Sequence, residues 1–558
     1  MAEKKQEFQY GSAFLPEGEK KYSVIRWGWN GLNREDKIDT GQLTDMSGMF
    51  CDPPYMEPVK QAKMALDFYN GIPVRNQGDI WTPVSSAPRH SGTPIAIDGN
   101  FLQDVYISMI WRDENTNTIT LSRYTYFPQD LSDIYPHGWY VIGEFQLGTA
   151  GLADESIPRT ILLFNAVDTS SGNIAAYTYD RKQLVYPDRY SVPTTATGSA
   201  ASFNTQSNPV PYLKFATVYN SRVFGVTDED LVVASAYNSY VDYGLDTAND
   251  VSSAHAWASM AGSNTDATGS VTAMTTYGNH VVIWRRDFMQ LVYNNKNPFR
   301  IVDVGRYGCD NNKAWVILNG VLYFASQDKV YAYTGGTPKE ISGKLEAGDL
   351  SGAVLGGFGD KVWMQTKDSL YTYNTKTGAW SDLKSGPFSG TTAKVKQFAT
   401  LDWGLVALTE EKRPDGTLYR YALKVVDWDE NLMGLSEEAA EDWEPEYYGT
   451  WWFITDLMVL GRLDIRRVKK LTMLCEGKTG ARISVYLLKN GESQSGGVLS
   501  DRLVGTLTFD NDGISELRVL TRQFSADMHQ LYFSGNGYVK VYAAELKISW
   551  GGDLYVES

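Results

Sequence analysis

The chain has 558 residues with 35 Tyr, 16 Trp, 51 Gly and a 43% hydrophobic fraction, which is too long for one ordinary core and predicts an all-β protein of strands, tight turns and aromatic packing. A formal charge of −15, from 66 acidic and 51 basic residues, excludes a protein that grips a phosphate backbone over a broad basic face. Cys51, Cys309 and Cys475 have the spacing of neither a disulfide framework nor a zinc site and read as small buried residues of a cytosol-made protein.

At the N-terminus, MAEKKQEFQYGSAF has charges but no apolar run behind them, unlike a secretory signal peptide. No stretch reaches the roughly 20 apolar residues of a membrane span, so synthesis in the cytoplasm without membrane insertion is expected. Residues 1–90 read as an irregular, extended arm. Their turn signals are Asp52-Pro53-Pro54 and Asn70-Gly71, and one piece near Val59 to Tyr69 is compatible with a helix. Without the pattern of a buried element, the arm is expected to be removable before His90 and to serve contacts between subunits.

Beyond the arm a unit repeats: a short apolar strand, a Gly, Asn or Asp turn, and a second strand ending in aromatic residues. Asp104 to Trp111 with Thr118 to Tyr126, and Thr160 to Phe164 with Asn173 to Tyr179, are two early copies. Later copies anchor on Val223, Val281, Val321, Val362 and Leu405, at separations of 58, 40, 41 and 43. A four-stranded propeller blade occupies about 40–50 residues. The expectation is a β-propeller over residues 91–440 with about seven blades, six being the other count the spacing allows. Residues 441–558 change character after an acidic linker and match the size of one β-sandwich. Its strands include Ile483 to Leu488, Leu503 to Phe509, Gln530 to Phe533 and Tyr538 to Val541, with Asn490-Gly491, Asp512-Gly513 and Asn536-Gly537 as hairpin turns.

Motifs for chemistry are weak. Ser326-Gln327-Asp328-Lys329 has the Ser-x-x-Lys spacing but falls at a predicted turn rather than on a helix. Gly357-Phe358-Gly359 lacks the third glycine of a dinucleotide fingerprint. Asp113 to Asn117 begins like a calcium loop but lacks its glycine and distal Glu, and reads as a polar hairpin tip. His90, His137, His255, His280 and His529 are never at metal-ligand spacing. No repeated Ser-x-Asp-x-Gly-x-x-Trp box of the sialidase propellers is found. No enzyme, metal or cofactor is therefore expected. One basic cluster stands out, Arg462, Arg466, Arg467, Lys469 and Lys470, either a solvated strand face or a docking patch for an acidic neighbour.

Three segments carry a resemblance. Trp27-Gly28-Trp29-Asn30-Gly31-Leu32-Asn33, continued by Ile38 to Met46, resembles the opening of phage virion proteins. Val304-Gly305-Arg306-Tyr307-Gly308 through Val321 to Phe324 and on to Ile341-Ser342 resembles the packaged-DNA stabilisation and tail hub or nozzle proteins of tailed bacteriophages. Gly480 to Tyr486 and Gly535 to Val539 are similar to their sandwich tails. What the resemblance implies is a virion tail or neck protein forming a ring of six subunits below the portal and adaptor. That ring closes or extends the DNA-exit channel, contacting passing DNA without specific binding. An acidic wall suits a conduit because it repels phosphate. Trp27, Trp29, Asn33 and the five basic residues are then the candidate subunit contacts. The alternatives are a tail-tip propeller that recognises a host receptor or carbohydrate, and a propeller glycoside hydrolase.

Overall fold

The computed structural model describes most of residues 22–83, 93–149 and 213–550, together with strands at 162–168 and 173–177. It is an all-β protein: a β-propeller joined to a β-sandwich, built almost wholly from antiparallel sheets.

Seven sheets of the propeller are seen among the described residues. Blade 1 holds Thr93–Asn100, Tyr106–Arg112, Thr118–Phe127 and Gly138–Thr149; blade 2 shows Leu162–Asp168 paired with Asn173–Tyr177. Blade 3 runs from Phe215–Tyr219 to Trp257–Met260, blade 4 from Val271–Tyr277 to Arg300–Gly305, blade 5 from Trp315–Leu318 to Lys339–Glu340, and blade 6 from Val354–Phe358 to Trp380–Asp382. Blade 7 has Lys394–Thr400, Gly404–Lys412 and Leu418–Trp428 from its own stretch of chain. Its fourth strand, Lys63–Tyr69, comes from the N-terminal segment and is followed by Ile72–Gln77 and Ile80–Pro83. The segment near Val59 to Tyr69, compatible with a helix in isolation, is thus mostly strand: pairing with Leu418–Trp428 overrides its local propensity. The ring closes where Gln397 of blade 7 uses its side-chain amide on both backbone groups of Ile97 in blade 1 (3.2 and 2.7 Å).

The repeat has a local cause. Asn220-Ser221 and Asn319-Gly320 both lie at positive φ, the backbone of a tight hairpin whose twist matches the strands it joins. The strands that follow are buried on both faces, as in Arg222–Val226 and Val321–Ala325. Adjacent first hairpins are stitched around one face of the ring. Tyr219 donates to the Asn279 carbonyl (2.8 Å), Tyr277 to that of Gly320 (2.6 Å), and Asn319 to that of Gly359 (2.9 Å).

Between blades 4 and 5, the Val304 to Gly308 motif turns the chain from an outer strand to the next inner one. A Cβ on Gly308 would stand 1.8 Å from the Arg286 carbonyl oxygen, a backbone atom with no room to retreat. Gly308→Ala is therefore expected to cost about 3 kcal/mol or more, read as a lowered urea midpoint with an unchanged slope.

Among the described residues the sandwich has two six-stranded sheets. The first is ordered Met49–Asp52, Tyr55–Pro58, Val539–Trp550, Arg466–Gly477, Gly513–Ala526, with Tyr22–Trp27 also on Val539–Trp550. The second is ordered Leu43–Ser47, Thr450–Thr455, Met528–Asn536, Arg482–Lys489, Leu503–Thr508, with Met458–Val459 on Met528–Asn536. Asp512-Gly513 and Asn536-Gly537, read above as hairpin turns, instead carry the chain from one sheet to the other. The second corner is pinned by Trp451, whose indole N–H donates to the Gly537 carbonyl (3.0 Å). Asn490-Gly491 lies outside the described residues.

The arm is thus extended but not separate. Residues between Tyr22 and Pro58 supply strands to both sandwich sheets, and those between Lys63 and Pro83 complete blade 7. The chain passes from sandwich to propeller and back. One apolar core, including Trp29, Met46, Phe453 and Leu546 of the sandwich and Trp284, Phe324 and Met364 of blades 4 to 6, runs across the boundary.

Candidate functional site

Trp29 and Asn33, expected from sequence as candidate subunit contacts, are buried within this chain. Trp29 is 0% exposed, edge-on to Phe453 (5.3 Å) and Phe533 (5.8 Å). Asn33, 1% exposed, donates its amide to Gln42 (2.6 Å). The distant strands that bury Trp29 belong to the same chain. Trp27 ends Tyr22–Trp27, in register with Ala544. Arg466, Arg467, Lys469 and Lys470 fall on Arg466–Gly477, which is laddered on both sides and is not a sheet edge. Lys470 is half-buried, in register with Lys547 on the neighbouring strand, while Arg518 on the other side pairs with Glu516 (2.6 Å). Arg462 lies outside the described residues, as does the Asp113 to Asn117 loop.

The Ser326 to Lys329 motif is a hairpin turn, with the Ser326 N–H donating to the Lys329 carbonyl (2.7 Å). Its ammonium is held by Glu340 (3.0 Å), while the Ser326 hydroxyl donates to Asp328 (3.1 Å). Burial pushes the Cys51, Cys309 and Cys475 thiols well above their ordinary range. Among the described residues no group of three or more His, Cys, Asp or Glu is set to hold a metal ion.

Two polar clusters sit where the arm meets the propeller. In the first, the arm lies along the outer strand of blade 6. The Leu32 N–H donates to the Trp380 carbonyl (2.9 Å), the Gly48 N–H to that of Leu383 (3.2 Å), and the Cys51 N–H to the Ser381 hydroxyl (2.8 Å). Arg34 bridges the elements, with one nitrogen on Asp45 (2.8 Å) and Asp382 (2.7 Å) and the other on the Tyr371 hydroxyl (3.3 Å). Burial works against the Arg34 charge, but Asp382 and Asp45 outweigh it and hold the guanidinium above its ordinary pKa. Ser369 donates to the other Asp382 oxygen, and Lys384 binds Asp45 (3.0 Å).

The second cluster lines a cleft of ≈590 Å³ between blade 6, blade 7 and the arm. Asp52 on the arm accepts from the Asn374 amide (2.7 Å) and lies 3.5 Å from the Lys361 ammonium. Asp360 holds Lys376 (2.5 Å), Glu430 is 3.6 Å from Lys60, and Asp429 caps the short helix Glu430–Met433 by accepting from the Asn431 N–H (2.9 Å). Asp427, at the end of blade 7's third strand, has no ammonium or guanidinium this close among the described residues. Burial pushes its pKa up to about 6, against the opposing pull of Lys361, Trp363 and Lys60. An unfolded Asp titrates near 3.9. The folded chain therefore keeps a proton that the unfolded chain has lost between about pH 4 and 6, and this group's contribution to stability falls as pH rises through that window. Sequence reasoning passed over Asp427; its available signal was three carboxylates around a tryptophan in Asp427-Trp428-Asp429-Glu430.

No family model matches the chain, and no curated protein does. Among solved structures it is similar to the extracellular domain of a one-component system from B. thetaiotaomicron (11% identity, TM-score 0.26), covering 74% of this chain and 43% of that one. The match thus spans less than half of that solved chain. It is also similar to BamB from Moraxella catarrhalis (10% identity, 77% of this chain and 95% of that one, TM-score 0.22) and to polysaccharide lyase Uly1 (12%, 66% and 99%, TM-score 0.31). At this level the likeness carries nothing about function.

Proposed function

We propose that this chain is a structural virion protein of a bacteriophage tail or neck, one subunit of a ring that closes or extends the DNA-exit channel and acts through contacts rather than chemistry. The observation that carries the reading is the position of the segment with the virion-protein resemblance. Described residues of the Trp29 to Met46 stretch help to fasten the sandwich to blade 6, through Trp29 in the core and Arg34 on Asp382. A body whose chain crosses its domain boundary twice resists being pulled apart, which suits a conduit under the load of a moving genome. The net charge of −15 suits the same role, because an acidic wall repels phosphate. The partners are further copies of this chain, six to a ring, and the portal, adaptor or other tail proteins above and below it.

Electron microscopy of the purified protein and of particles lacking it tests the reading. Closed rings are expected, with deficient particles that package DNA yet leak it or fail to deliver it. Particles that retain and deliver DNA normally would overturn the proposal, as would cleavage of a polysaccharide by the pure protein. Reversing Arg466, Arg467, Lys469 and Lys470 to Glu is expected to weaken attachment to neighbouring rings, because clustered rim charges steer docking.

A further inference from the structure

We propose that the junction of blade 6, blade 7 and the arm is a proton-operated clasp, in which one ammonium, Lys361, is shared between a carboxylate of the arm and a carboxylate of blade 7. The proposal depends on this junction alone and not on where the chain sits in an assembly.

Lys361 opens the second strand of blade 6 and reaches out of its own blade. Its ammonium is 3.5 Å from Asp52 and 4.7 Å from the ring centre of Phe50, both on the arm strand Met49–Asp52. Burial works against its charge, but Asp52 first, then Asp427 of blade 7, and Glu57 outweigh it and hold Lys361 protonated. The cation therefore answers to two bodies at once: the sandwich, through the hairpin Met49–Asp52 and Tyr55–Pro58, and the last blade, through Asp427.

Every element around the cleft contributes charge. The arm supplies Asp52, Glu57 and Lys60; blade 6 supplies Asp360, Lys361 and Lys376; blade 7 and its helix supply Asp427, Asp429 and Glu430. The last sandwich strand adds Lys540, 3.8 Å from Glu57, and Tyr538 donates its hydroxyl to the same carboxylate (3.2 Å) and stays neutral. With all of these ionised, six carboxylates face four ammonium groups. Lys376 is taken by Asp360 and Lys60 by Glu430, so the charge that varies is that on Asp427. When Asp427 carries a proton, Lys361 belongs to Asp52 and the arm hairpin is held to blade 6. When Asp427 ionises, the junction gains a second uncompensated negative charge in a partly desolvated cleft, and the hold on the hairpin weakens. The clasp is tight in acid and looser at neutral pH, the reverse of a salt bridge that acid breaks.

Hydrogen exchange on the full chain between pH 5 and 8, corrected for the chemical exchange rate, tests this. Protection of amides in 49–58 and 361–365 is expected to fall about tenfold from pH 5 to pH 7, the factor that follows from a carboxyl near pH 6 when closed and near 3.9 when open. Asp427→Asn should give high protection that no longer changes over this range. Asp52→Asn leaves Asp427 as the chief carboxylate acting on Lys361 and should move the transition to lower pH, which keeps the clasp testable if the first variant folds poorly. Wild-type protection that is flat from pH 5 to 7, an unchanged pH dependence in Asp427→Asn, or a transition unmoved by Asp52→Asn would each overturn the clasp. Absence of closed rings from the wild-type protein with this transition intact would count against the virion reading instead.

Discussion

A chain shortened to begin at Lys63 is expected to be recovered as aggregate, without a cooperative thermal transition, although every strand of the propeller remains. The shortening removes Trp29, Leu32, Leu43, Met46, Met49 and Met56, all at most 2% exposed. Burying side chains of this kind stabilises by about 1.5–3 kcal/mol each, so their loss is on the order of 10 kcal/mol or more, as large as the whole stability of an ordinary domain. Both sandwich sheets also lose strands, and the inward faces of Phe453, Phe533 and Leu546 are left open to solvent. Cutting before His90 goes further and takes Lys63–Tyr69 from blade 7. This reverses the expectation drawn from sequence alone, that the same cut would leave a folded protein unable to assemble. A soluble product from the Lys63 start, with native-like near-ultraviolet circular dichroism and a sharp melt, would show the arm to be dispensable to the fold.

The reason for the reversal is the range of the contacts. The blade repeat was legible because its signals are local: Val223, Val281, Val321, Val362 and Leu405 are each the first or second residue of the second strand of a blade, just after a tight turn. Nothing local marks Trp29 as a core residue, because the rings that bury it, Phe453 and Phe533, lie more than 400 positions away. Asn33 read as a candidate subunit contact, whereas its partner Gln42 is only nine positions away and both are buried in the folded chain. Asp427 reads in sequence as the polar end of a strand. Its raised pKa comes from burial by blade 6 and the arm, neither of which its neighbours in sequence announce. Asn536-Gly537 carried a correct turn signal and the wrong partner: a turn specifies that the chain reverses, and only packing decides whether it returns to the same sheet.

Replacing Arg34 with Met is expected to destabilise the protein by about 3–5 kcal/mol, the range for removing one partner of a buried ion pair. Two carboxylates depend on Arg34, but they are not equivalent. Asp382 has a side chain only 2% exposed, so removing the guanidinium leaves its charge buried with, among the described residues, the Ser369 hydroxyl and the Lys384 backbone N–H to receive it. Asp45 is 32% exposed and keeps Lys384 at 3.0 Å, so its share is that of a partly solvated pair, about 1 kcal/mol or less. Arg34→Lys should recover only part of the loss, because one ammonium cannot reproduce the fork that meets Asp45, Asp382 and the Tyr371 hydroxyl together. Asp382→Asn in the Arg34→Met background removes the stranded charge, so the double variant should be more stable than the sum of the two single losses predicts. Urea unfolding of the four proteins measures that coupling. A single-variant loss under about 1 kcal/mol with no coupling would mean that the backbone bond from Leu32 to Trp380 and the apolar core hold sandwich to propeller unaided. A large coupling would make the ion pair a specific lock on the interface that the arm creates.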